Sequence, residues 1–371
     1  MATQESTEYY QSSVEVIREE LRQSVKTEQK NQRYAEVNKR RTALGELTYN
    51  EESWNADDLV LKAKELRRKP LSIDDYIKLQ NTLIQDEANI KLFLSINHII
   101  SALIRDLCSS NPAIQLSAAH CFCNIALGNK SCCSTLSKYA GPYLIEQLDT
   151  LSNPLLEVIA WTVGNLCSGS KNACKALYAQ GCLCRLLSLL RDCDTMILPS
   201  VIYAITHCIL GGPELISNEE SVEIINTLIN RNCFDSTAGL WILALLSSNP
   251  ICLRSYDTII ERIFDILMKE MDEQSYDTKR ITAIVRLFAN LISESSGSIA
   301  DIILYNLKYK TTDVQEIFNK LLIYPHVHVR KETLWLIGNF YNHSQPRINH
   351  RIKELLSYLT NIQLAIQSVQ L

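Results

Sequence analysis

The sequence predicts an all-α protein of stacked helical repeats, and three observations carry that prediction. Apolar residues recur at helical spacing in segment after segment. The eleven glycines and nine prolines fall mostly between those segments. One segment type also returns at a nearly constant interval. Its fullest form is Pro154-Leu-Leu-Glu-Val-Ile-Ala-Trp-Thr-Val-Gly-Asn-Leu-Cys-Ser-Gly169. Proline can open a helix because its missing N–H would be unpaired there anyway. Trp161 and Asn165, four residues apart, share one helix face. Gly169 predicts a left-handed stop.

Variants of this segment are Pro112-Ala-Ile-Gln-Leu-Ser-Ala-Ala-His120-Cys-Phe-Cys-Asn124-Ile-Ala-Leu-Gly128 and Val327-His-Val-Arg-Lys-Glu-Thr-Leu-Trp335-Leu-Ile-Gly-Asn339. Weaker copies are Tyr203…His207, Trp241…Leu245 and Arg286…Asn290. The second members of these pairs, at 124, 165, 207, 245, 290 and 339, are 41, 42, 38, 45 and 49 residues apart. A helical period near 42 residues is the armadillo/HEAT signature. The expected fold is therefore a right-handed armadillo/HEAT-type α-solenoid of about seven repeats, preceded by a charged N-terminal helix.

In chain order, residues 1–13 are polar and read as disordered. Residues 14–44 read as a long charged helix in which Arg18, Arg22, Lys26, Lys30 and Arg33 form a basic stripe. The apolar stripe opposite it, Val14, Ile17, Leu21 and Val25, is thin. Two readings of this helix stay open: a solvated or coiled-coil helix, or one that folds onto an acidic partner surface. Residues 45–58 form an acidic linker, and 59–371 the solenoid. Helices are expected over 59–68, 72–85 and 88–109. In the full repeats a shorter helix precedes each Trp/Asn-type helix, at 143–151, 183–191, 221–230 and 259–271. The segment 348–371 would cap the stack.

Composition excludes several function classes. A net charge of −4 and a pI near 6.0 give no bulk support to nucleic-acid binding. The thirteen cysteines suggest metal or disulfides, but Cys121, Cys123, Cys167 and Cys208 sit within apolar helices, where free cysteine packs as a small hydrophobe. Cys182/Cys184 and Cys132/Cys133 lack a matching second pair, so no metal site and no cofactor are expected. A reducing, intracellular setting is the expectation that follows. Thr195 to Pro213 contains no Asp, Glu, Lys or Arg, yet it falls in register with the repeat and reads as a buried helix, not a membrane span. No Gly-rich phosphate loop, His-Glu-x-x-His or Gly-x-Ser-x-Gly sequence supports an enzyme.

Repeated Trp and Asn at equivalent positions would form parallel ladders along a concave groove. Asn amides can bond an extended peptide backbone in bidentate fashion, while Trp faces wall in Lys or Arg stems. The alternative is that the Trp pack the core and the Asn bond the neighbouring repeat's backbone. Repetition of the pair favours the groove reading. The candidate groove residues are His120, Asn124, Trp161, Asn165, Tyr203, Trp241, Asn290, Trp335 and Asn339.

These repeats resemble the inner-groove helices of importin alpha, the armadillo adaptor of nuclear import. The resemblance rests on Glu157–Asn165, Ala118–Gly128, Lys331–Asn339 and Tyr203–Pro213, and it spans roughly residues 14–345. Glu19-Glu-Leu-Arg22 and Asn38-Lys-Arg-Arg41 are similar to the family's importin-beta-binding helix. The resemblance implies a basic nuclear localisation signal held in the groove and importin beta recruited through Arg18, Arg22, Lys26, Lys39, Arg40 and Arg41. It also implies residence in cytoplasm and nucleus. Departures are evident. His120, Tyr203, Trp241 with Leu245, and Arg286 break the ladder, and Arg286 would repel a basic cargo. Gly169 stands where the family has an acidic residue, the N-terminal helix lacks a dense arginine run, and about seven repeats replace ten.

Three readings compete: a nuclear-import adaptor, an armadillo scaffold or chaperone for one protein without importin beta, and a membrane-anchored protein through Thr195–Pro213.

Overall fold

In the computed structural model, residues 53–272, 277–294, 296–305, 311–357, 359 and 361–370 are described. The segment 1–13, the charged helix at 14–44 with Arg18, Arg22, Lys26, Lys39, Arg40 and Arg41, and most of the acidic linker lie outside the described residues. Every regular element among the described residues is helical. The chain divides into two compact units between Gly128 and Asn129.

The first unit contains α1 (Ala56–Leu66), α2 (Ile73–Gln85), α3 (Glu87–Leu94), α4 (Ile99–Leu107) and α5 (Pro112–Ile125). Helix α1 starts inside the stretch expected to be linker. The Asn55 side chain accepts the Asp58 N–H at 2.9 Å, and Asp57 and Asp58 occupy the first turn. That cap and the helix dipole account for the earlier start. The single helix expected over 88–109 is two, because His98 turns the chain through left-handed backbone at φ 62°.

Helices α2 and α4 both pack on α5, around a buried polar centre. The Tyr76 hydroxyl donates to the Asp106 carboxylate. Arg105 holds the same carboxylate through Nε at 2.7 Å and Nη2 at 3.0 Å, and reaches the Leu66 carbonyl at 2.9 Å. An isolated buried carboxylate would be costly, and these donors offset its desolvation. Burial, and next the Asp106 carboxylate, push the Tyr76 phenol far above its ordinary range.

The second unit contains α6 (Lys130–Tyr139), α7 (Gly141–Glu146), α8 (Asn153–Gly169), α9 (Lys171–Ala179), α10 (Cys182–Asp192), α11 (Leu198–Gly211), α12 (Asn218–Asn230), α13 (Thr237–Leu246), α14 (Ile260–Asp272), α15 (Thr278–Leu291), α16 (Ser298–Leu304), α17 (Thr311–Leu322), α18 (Val327–Tyr341), α19 (Pro346–Leu356) and α20 (Ile362–Gln370). The expected two-helix unit is in fact three elements. A leading helix such as α6 or α9, or a 3-10 segment such as Pro213–Leu215 or Pro250–Tyr256, precedes the pair. Three elements per repeat make the unit armadillo-type. The leading helices escape the periodicity because α6 and α9 are only 10 and 9 residues long, too short to show a repeating apolar stripe.

Gly169 does not end α8 in the left-handed conformation. The helix runs through it, and Ser170 stops it with extended backbone at φ −154°. The Ser170 side chain then caps α9 by accepting the Ala173 N–H at 3.4 Å, so one residue closes one helix and opens the next. The charge-free stretch from Thr195 to Pro213 supplies only the 14-residue α11. Among the described residues, no helix is long and apolar enough to cross a membrane.

Replacing Tyr76 with Phe should lower stability by about 1–3 kcal/mol, because Asp106 loses a donor while staying buried. Urea unfolding reads this directly. An unchanged midpoint would show that Arg105 alone satisfies the carboxylate.

Candidate functional site: the ladder face

In the second unit the ladder-bearing helices stack in sequence, α8 on α11, α11 on α13, α13 on α15 and α15 on α18. That packing buries most positions on each helix and leaves a repeating stripe half-buried. The stripe consists of Trp161; Tyr203 and His207; Trp241 and Leu245; Arg286 and Asn290; Trp335 and Asn339. The i, i+4 spacing read from the sequence is thus what survives the stacking. In the first unit, His120 and Asn124 are likewise half-buried on α5.

The asparagines are tied to backbone. Asn124 donates to the Gln80 carbonyl at 3.0 Å. Asn290 donates to the Ala244 carbonyl at 3.2 Å and to Ser247 Oγ at 3.0 Å, and Asn339 donates to the Ala289 carbonyl at 2.6 Å. Each acceptor stands one residue before the equivalent ladder position of the preceding repeat: 244 before 245, and 289 before 290. The same rule places Asn81 at a ladder position, since the acceptor for Asn124 is residue 80. A search for aromatic-x3-Asn pairs misses Asn81, because its partner four residues back is Ile77. Asn81 Nδ2 is buried without a hydrogen-bond partner among the described residues.

Asn165 differs from the other ladder asparagines. It is only 4% exposed, and its Oδ1 accepts the Tyr203 hydroxyl at 2.8 Å. The Tyr203 ring lies 4.0 Å from Trp161 and 4.3 Å from His207, centroid to centroid. Glycine makes this approach of α8 and α11 possible. A Cβ on Gly164 would stand 2.5 Å from Tyr203 Cε1 and 3.3 Å from Ala204 Cα. One on Gly211 would stand 2.5 Å from the Cys167 carbonyl oxygen. Tyr203, which breaks the ladder as read from the sequence, thereby joins Trp161 and His207 in one aromatic layer and covers Asn165.

The expectation that Arg286 repels a cation needs correction. Its guanidinium pairs with Glu332, whose side chain is 3% exposed, so its charge is compensated inside the stack. The five ladder-bearing helices of this unit carry two carboxylates, Glu157 and Glu332. Glu157 is exposed, and Glu332 is committed to Arg286. Gly169 stands at the end of α8 and adds no charge. The face is therefore aromatic and amide-rich, not acidic. Among the described residues, no group of three or more His, Cys, Asp or Glu is placed to hold a metal ion.

No known family profile matches the chain, and no curated protein matches it. Solved structures do. An engineered protein solved in a structural genomics programme is 20% identical over 75% of this chain and 67% of its own, with a TM-score of 0.58. A designed armadillo repeat protein is 19% identical over 75% of this chain and 98% of its own, with a TM-score of 0.42. Computationally designed armadillo repeat proteins for modular peptide recognition are 17% identical over 81% of this chain and 100% of theirs, with a TM-score of 0.40. The first likeness is one of fold alone, and the two lower scores carry no argument.

Removing the Glu332 carboxylate should be costly. Glu332→Ala leaves the Arg286 charge buried and unpaired, a loss of about 3–5 kcal/mol. The double variant Glu332→Leu/Arg286→Met should recover much of that loss. Equal destabilisation of the single and double variants in thermal unfolding would mean that packing, not charge, sets the cost. The chain is an all-α armadillo-type solenoid.

Proposed function

We propose that this protein is a non-enzymatic scaffold whose ladder face holds an extended peptide segment of a protein partner. The observation that supports it is the half-buried stripe on successive ladder-bearing helices. Solenoid packing would have buried those aromatic and amide side chains if the core alone required them. Large half-exposed aromatics are the residue type on which binding energy concentrates. The finer form of the role is a nuclear-import adaptor. In that form a basic segment lies against Trp161, Trp241 and Trp335, residues 14–44 recruit importin beta, and the protein works in cytoplasm and nucleus. The resemblance of the repeats and of the N-terminal segment supports that form.

A second reading rests on the charge of the face. With Glu332 engaged by Arg286 and Asn165 covered by Tyr203, little selects for lysine over a neutral side chain. A scaffold or chaperone for one particular protein, without importin beta, accommodates that composition.

One experiment separates these readings. Full-length protein, the chain lacking residues 1–44, and the Trp241→Ala/Trp335→Ala variant would each be tested. Binding to a labelled (Lys-Arg)4 peptide would be followed by fluorescence anisotropy, and importin beta capture by pull-down. Each Trp removed should weaken peptide binding by about 1–3 kcal/mol, with helical content unchanged. Importin beta should be captured only with residues 1–44 present. Peptide affinity indifferent to both tryptophans would remove the ladder-face reading. Absence of importin beta from every bait would leave the dedicated scaffold.

A further inference from the structure

Four buried cysteines from four consecutive helices converge behind the ladder face: Cys167 on α8, Cys174 on α9, Cys182 on α10 and Cys208 on α11. The Cys167 and Cys208 sulfurs lie 3.4 Å apart. Cys174 donates to the Cys208 carbonyl at 3.5 Å. Cys182 lies near enough to Cys208 for the two thiols to affect each other's ionisation. Small residues draw these groups together. A Cβ on Gly211 would meet the Cys167 carbonyl oxygen at 2.5 Å, and one on Gly212 would meet Cys174 Sγ at 3.3 Å. All four thiols are buried, so none belongs to the peptide face.

We propose that Cys167 and Cys208 are a dithiol pair that closes to a disulfide under peroxide, tying α8 to α11. The sulfurs need to approach by about 1.4 Å to reach a bond length of about 2.05 Å. Cys208, on which the Cys167 and Cys174 contacts converge, is the sulfur proposed to attack first. Hydrogen bonds from the Cys167 and Cys182 thiols favour its thiolate. Hydrogen bonding within the cluster and burial push the Cys167 and Cys182 thiols well up. The Cys208 thiolate attacks one peroxide oxygen, giving a sulfenic acid and releasing hydroxide, which takes up a proton to become water. The Cys167 sulfur then attacks the Cys208 sulfur, forming the S–S bond. Its proton and the displaced hydroxyl leave as the second water. Two thiols are oxidised and one peroxide is reduced to two waters.

The bond would act on the ladder face from behind. Cys167 is two residues past Asn165, and Cys208 follows His207 directly. Oxidation would therefore fix the pair of helices that hold Trp161 against Tyr203. Full burial makes the pair slow to react and selective for a small oxidant that enters as the helices open locally.

The test treats the native full-length protein with hydrogen peroxide, quenches in acid, alkylates remaining thiols in denaturant and maps peptides by mass spectrometry. The expected product is a Cys167–Cys208 linked peptide, reversed by dithiothreitol and missing in Cys208→Ala. The melting midpoint of the oxidised wild type should rise by several degrees, with no rise in Cys208→Ala. Recovery of both cysteines as free thiols, once the exposed Cys108 and Cys184 are oxidised, would overturn the proposal. So would a link from Cys167 to Cys174 or Cys182 instead. Should Cys208→Ala fail to fold, the wild-type peptide map decides alone.

Discussion

The amide-to-carbonyl bond between successive ladder helices is the constraint on which this solenoid depends. A carbonyl inside a helix is already bonded along the axis, but its second lone pair can still accept. Asn124 uses that lone pair on Gln80, whereas Asn290 and Asn339 reach Ala244 and Ala289 in the last turns of α13 and α15, where helix carbonyls lack an axial partner. Because each acceptor stands one residue before the equivalent position, the bond fixes both the separation and the register of neighbouring helices. Apolar packing alone would tolerate a slip, since the buried Leu and Ile faces are chemically alike along each helix. A directional bond at the α2–α5, α13–α15 and α15–α18 contacts removes that freedom there.

Where the bond is replaced, the interface changes character. Between α8 and α11, Gly164 and Gly211 bring the backbones close, and the Tyr203 hydroxyl takes over Asn165. Between α15 and α18, the Arg286–Glu332 pair adds a charged contact to the Asn339 bond. A buried pair of this kind is weak evidence of added stability, but it penalises any arrangement that separates the partners. Both substitutions draw recognition chemistry inward. One asparagine is covered and one arginine is neutralised, leaving a face whose binding character comes mainly from its tryptophans.

The two roles of a ladder asparagine, peptide contact and helix tie, compete only in part. Asn124, Asn290 and Asn339 spend an amide N–H on the stack yet remain half-buried, so the same side chain sets the groove and borders it. Asn165, buried and covered by Tyr203, is the exception. The second unit therefore presents aromatic surface on α8, α11, α13 and α18, and amide surface only on α15 and α18.

Local sequence determined the helices, their spacing and the identity of the recurring pairs. Helical periodicity, proline starts and Asn or Ser caps are encoded within a few residues, and the 42-residue period is visible by inspection. The short leading helices α6 and α9 were not legible, because they are too short to show a repeating apolar stripe and their start rests on single capping side chains such as Asn129 and Ser170. Nor was the ladder position Asn81, whose partner is Ile77 and which only the Asn124–Gln80 bond reveals. The role of Tyr203, the pairing of Arg286 with Glu332 across 46 residues, and the meeting of Cys167 with Cys208 across 41 were decided by tertiary structure alone. The physical reason is that side-chain periodicity tells which face is buried, whereas the partner a side chain meets depends on how closely two backbones approach. That distance is set by glycines and small residues on a neighbouring repeat, a full period away in sequence.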